Sequence, residues 1–131
     1  MNNIIKSYRI LNLDQSYTGL SHLKKDYYQK SLSEALANDF NLLDYKIVVE
    51  HKFRQQIICN NEVDRRQLLE ELYNKCDKEL KPSISDIFVL FDRNCNYKAY
   101  YCDSYGFQDI TPITKGFSIC YIDPDEQVRC I

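Results

Sequence analysis

From Ile47 to Cys59 the chain alternates almost without fault. Ile47, Val49, His51, Phe53, Gln55, Ile57 and Cys59 fall on one side, and Val48, Glu50, Lys52, Arg54, Gln56 and Ile58 on the other. Strand side chains repeat every two residues, so this pattern predicts a long strand with one buried side. The run that follows changes period. Leu69, Leu72, Tyr73, Cys76 and Leu80 recur at helical spacing, with Asn60 or Asn61 as a cap and Glu62 and Asp64 in the first turn, which predicts a helix over 62–80 ended by Pro82. Five consecutive apolar residues, Ile87 to Phe91, predict a central strand buried on both faces. Asp92 to Asn96 form a turn too short for a parallel crossover, so Tyr97 to Cys102 is expected to return antiparallel.

The ends of the chain are less regular. Ile4 to Leu13 reads as an opening strand or a short helix, the strand being favoured. Leu20, Leu23, Tyr27, Tyr28, Leu32, Ala35, Leu36 and Phe40 keep helical spacing, and Ser31 followed by Glu34 is a capping box able to start a shorter helix inside that span. Ser104 to Gly116 reads as irregular. Phe117 to Ile122 is a further strand, Asp123 to Glu126 a turn, and Gln127 to Ile131 an edge strand. The expectation is a single α+β domain over 1–131 with β-α-β-α-β-β-β order. Its sheet is mixed and mainly antiparallel, with two helices packed on one face.

Composition then narrows the function classes. Apolar content of 44% with 27% charged residues is ordinary for a globular domain. The first ten residues lack the pattern of a secretory signal, and no stretch approaches a membrane span, so a soluble, cytoplasmic protein with no membrane partner is expected. In that compartment the six cysteines read as thiols that pack like small hydrophobes. They contain no C-x-x-C pair and the two histidines, His22 and His51, are not clustered with them, so neither metal nor cofactor is expected. No phosphate loop, nucleophile elbow, H-E-x-x-H or dinucleotide fingerprint is present, and three glycines exclude most of these. His51, a nearby cysteine and scattered aspartates are what an enzyme or nucleic-acid-acting protein would have to use. A lone histidine on a strand is more often a packing group, and aspartates at strand ends more often form turns.

Charge and aromaticity are unevenly distributed. The net charge is −2, yet residues 101–131 hold five acids against Lys115 and Arg129, and five of the 11 tyrosines lie from Tyr97 onward. An acidic, tyrosine-rich stretch disfavours direct nucleic-acid binding and suits a basic protein partner, with charge steering the encounter and rings anchoring it. The candidate partner-binding residues are Tyr97, Tyr100, Tyr101, Asp103, Tyr105, Asp109, Tyr121, Asp123, Asp125 and Glu126. The competing expectation is that these rings form cross-strand pairs that simply cover the sheet. In overall type the chain is similar to the single-domain bacterial immunity proteins that neutralise toxins. That likeness implies a non-enzymatic binding and inhibitory role, and a monomer or homodimer is expected. An accessory subunit that self-associates through an open edge strand is the other non-enzymatic alternative.

Overall fold

The computed structural model describes residues 3–13, 30–37, 40–42, 45–78, 81–104 and 106–114. Its elements are β1 (Ile4–Leu13), α1 (Leu32–Ala37), β2 (Tyr45–Ile58), α2 (Glu62–Lys75), β3 (Ile87–Asp92), β4 (Tyr97–Asp103) and β5 (Gly106–Asp109), followed by a 3-10 turn at Thr111–Thr114. The α+β class and the order of strands and helices are as expected. The sheet runs β2-β1-β3-β4-β5, and every pairing in it is antiparallel. All six residues of β3 are buried, as a continuous apolar run at the centre of a sheet covered on both sides requires.

The helices do not share a face. Leu68, Leu69 and Leu72 of α2 pack on Ile5, Ile10, Phe88, Leu90, Tyr100 and Cys102. Ala35 of α1 packs with Leu11, Leu13, Ile87, Val89, Phe91, Ala99 and Tyr101 on the opposite side. Strand alternation leaves no other arrangement: neighbours such as Tyr100 and Tyr101 must point to opposite faces, and both are fully buried. A sheet whose central strands are apolar on both sides needs a cover on each.

Two irregularities of β2 shift its alternation. Val48 is an extra residue between the pairs Ile10–Val49 and Leu11–Ile47, so Ile47 and Tyr45 serve the α1 face while Val49 serves the α2 face. Further along, Ser7 pairs with Lys52 but Ile5 with Ile57, which sets Phe53 to Gln56 against the single Lys6. A bulge of this kind bends the strand and re-aims its side chains. The single buried side expected for Ile47 to Cys59 is thereby divided between two faces.

Local signals explain the helix ends. Asn61 caps α2, its side chain accepting from Asp64 N at 2.9 Å, and the helix stops at Lys75, where Cys76 turns extended (ψ 142°), short of the expected 80. The capping box operates at α1: Ser31 Oγ accepts from Glu34 N at 3.4 Å, so the shorter helix is the one described. Residues 14–29, where the longer helix would begin, lie outside the described residues, as do the strands expected at Phe117 to Ile122 and Gln127 to Ile131. The stretch expected to be irregular supplies β5 instead. It begins at Gly106, whose φ of 112° only glycine adopts readily, although nothing lies within 4 Å of an added Cβ. Among the described residues no helix is long and apolar enough to cross a membrane.

Candidate functional site

The tyrosine-rich stretch has internal duties. Tyr100 is buried on the α2 face, where its hydroxyl donates to Glu62 Oε1 at 2.6 Å and its ring lies 5.8 Å below the Arg66 guanidinium. Glu62 also holds Arg65 at 2.9 Å and Arg66 at 3.6 Å, and Arg66 donates to the Phe107 carbonyl, so this cluster ties the first turn of α2 to β4 and β5. Tyr101 is buried on the α1 face and donates to the Lys30 carbonyl at 2.7 Å, with Phe40 edge-on at 6.0 Å. Burial raises both phenol pKa values well above the ordinary range; the Glu62 hydrogen bond adds to the effect at Tyr100 and the Asp103 charge at Tyr101. Tyr97, half-buried, shares a hydrogen bond with Thr114 Oγ1 at 2.6 Å.

The acids of the stretch are also engaged. Asp103 Oδ2 accepts from Leu32 N at 3.0 Å, satisfying the first N–H of α1 from across the fold, and Oδ1 accepts from Ser104 N. Asp109 lies at the surface, accepting from Thr111 N at 2.8 Å with Lys98 at 3.7 Å. Partial burial works against its carboxylate, but the Thr111 hydrogen bonds and the Lys98 and Arg66 charges prevail and lower its pKa. Asp92 accepts from Asn94 N and Asn96 N, closing the β3–β4 turn. These aspartates form turns and caps, and among the described residues no three His, Cys, Asp or Glu side chains gather for a metal ion. The expected docking surface is therefore not assembled by Tyr100, Tyr101 and Asp103. Tyr105, Tyr121, Asp123, Asp125 and Glu126 lie outside the described residues.

A different surface has the anatomy of a binding site. Beside the bulge of β2 a groove of about 440 Å³ opens between that strand and α2. Its floor is Tyr8, His51, Phe53, Ile57, Leu68 and Leu72, and Arg54, Gln55, Glu71 and Lys75 complete its lining. Tyr8, His51 and Phe53 pack ring on ring, with centroids 5.5 to 5.6 Å apart. The register places His51 opposite Tyr8 on β1, which is why these rings meet. Burial, with a smaller contribution from Cys76, raises the Tyr8 phenol. Among the described residues one carboxylate and no thiol line the groove, and burial raises the thiols of Cys59, Cys76 and Cys102 away from the reactive thiolate form. The alternation across Ile47 to Cys59 pointed to His51 and Phe53 as neighbours. Tyr8 and the bulge that opens the groove carry no such signal in sequence.

The fold and groove define a small α+β domain built on a five-stranded antiparallel sheet with a helix on each face and an aromatic cleft at one edge. The chain belongs to the YodL-like domain family, whose match covers residues 14–112. No curated protein and no solved structure matches it.

Proposed function

We propose that the chain is a non-enzymatic protein-binding module of the immunity or inhibitor kind, which grips an extended segment of a protein partner at the β2 edge. The groove carries this reading: an apolar, ring-lined floor inside a charged and polar rim is the arrangement of a protein-recognition surface. Among the described residues β2, 14 residues long, stands at one end of the sheet order, whereas β5 at the other end has four. A long edge strand beside side-chain pockets suits recognition by strand addition. Charge steering toward a basic partner falls to Asp109, Asp123, Asp125 and Glu126.

A photo-crosslinking residue at Gln55, introduced into the full chain in its native host, tests the reading. A single discrete adduct that is lost in Phe53→Asp and Ile57→Asp variants, and kept in Asp109→Lys at reduced yield, supports it. An adduct indifferent to both groove substitutions, or no adduct, overturns it. Circular dichroism of each variant establishes that the fold is kept.

A further inference from the structure

The same bulge that opens the groove has a second consequence on the opposite face. There Lys6, Arg9, Glu50, Lys52, Asp92 and Arg93 line a pocket of about 320 Å³, which meets the groove at Phe53, a residue common to both. Four cations and two acids line it, in a chain whose net charge is −2. Both acids have structural work: Glu50 pairs with Arg9 at 3.4 Å, and Asp92 closes the β3–β4 turn through the Asn94 and Asn96 N–H groups. Among the described residues none of Lys6, Lys52 and Arg93 takes part in an ion pair, so the pocket keeps a local positive excess.

We propose that this pocket binds a small phosphomonoester. Arg9 forms its fixed wall: it is 4% exposed, its guanidinium lies 4.7 Å from the Phe91 centroid, and Glu50 holds it from the side. A guanidinium immobilised in this way loses little freedom on meeting an anion. Lys6 comes from the residue of β1 that faces the bulge, Lys52 from the last regular pair before it, and Arg93 from the turn, whose backbone is tied to Ile4 O at 3.1 Å. Two neighbouring strands and the β3–β4 turn therefore bring separate cations around one space. A phosphate dianion matches that positive excess better than a carboxylate does, because it brings two charges and more acceptor oxygens. The volume exceeds that of phosphate and lies at the lower end for small-molecule sites, which leaves room for a body of a few carbon atoms against Phe53.

Calorimetric titration of the full chain with inorganic phosphate and with glycerol phosphate tests the proposal. Saturable binding at one site is expected, tighter for glycerol phosphate, and weakened at least about tenfold by Lys52→Glu or Arg93→Glu. Lys75→Glu, in the groove of the other face, leaves it unchanged. Lys52 and Arg93 are exposed, so both variants keep the fold, and Arg93→Gln serves as a milder check of the same effect. No saturation with either probe, binding indifferent to both charge reversals, or binding of single-stranded RNA without saturation by glycerol phosphate overturns it.

Discussion

Tyr100 and Tyr101 are neighbours in sequence and equally buried, but they face opposite sides of the sheet and end on different partners. Each is a phenol with no exposed area, but Tyr100 ends on a carboxylate that is shared with two arginines of α2, and Tyr101 on a backbone carbonyl just before α1. The α2 face is closed by a 14-residue helix with three buried leucines and a charged clamp at its first turn. The α1 face is closed, among the described residues, by a six-residue helix that buries only Ala35 and takes a capping carboxylate from β4. A six-residue helix is too short to be stable by itself, so the order of the α1 cover depends on the sheet beneath it. The two tyrosines thus belong to covers of unequal self-sufficiency.

The sharpest way to break the comparison is to remove the rings. Tyr100→Ala and Tyr101→Ala each delete a fully buried aromatic side chain, at an expected cost of about 3–5 kcal/mol in chemical denaturation. What should differ is the local response. Hydrogen exchange in Tyr101→Ala is expected to lose protection across Leu32 to Ala37 well before global unfolding, because α1 holds few contacts of its own. In Tyr100→Ala, protection of α2 falls only with the whole sheet. Equal and purely global loss in both variants would show that the two covers are equally cooperative.

The sequence carried the alternation of β4, and with it the separation of Tyr97, Ala99 and Tyr101 from Lys98, Tyr100 and Cys102. It also carried the continuous burial of β3, the antiparallel return and the caps of both helices. These are local patterns, decided by side-chain period and by one or two hydrogen bonds. The assignment of both helices to one face failed because it rested on the order of elements along the chain, which does not say which side of the sheet each helix crosses, and the exposure expected for the tyrosines failed with it. Tyrosine reads equally well as an interface ring or as a core ring that needs one partner, and the partners here, Glu62 and the Lys30 carbonyl, lie 38 and 71 residues away. The groove and the cationic pocket were invisible for a related reason. Both come from a register shift between β1 and β2, which no alternation within β2 alone can reveal.

A smaller effect separates buried charge from buried phenol. Asp86 is 6% exposed; burial raises its carboxyl to about 6 although Ser83 N and Oγ donate to it. With the folded value above the unfolded one, the folded state binds the extra proton between roughly pH 4 and 6. The stability that Asp86 contributes is therefore present below pH 4 and is lost as pH rises through 6, by on the order of 2 kcal/mol. Asp109, whose carboxyl is lowered, acts in the opposite sense, so the wild type alone would show a mixture of the two. The stability difference between wild type and Asp86→Asn isolates the first. It is expected to favour the variant more at pH 7 than at pH 4.5, and a difference that does not change with pH would refute the raised carboxyl.

The finest test leaves both rings in place and removes only their hydroxyls. Tyr100→Phe takes a donor from Glu62, a charged acceptor, for which a loss near 1.5 kcal/mol is expected. Glu62 keeps Arg65 and Arg66, so it is not left bare and the loss stays at the lower end for a charged pair. Tyr101→Phe leaves the Lys30 carbonyl short of a donor, for about 1 kcal/mol, since a neutral acceptor next to the half-exposed start of α1 can be rehydrated. Raising the salt concentration should narrow the gap, because ions screen the Glu62–Arg65–Arg66 cluster and leave a phenol–carbonyl bond untouched. If the gap persists unchanged at 1 M salt, the charge on Glu62 is not what distinguishes the two hydroxyls. The difference between the faces would then rest on the lengths of their helices alone.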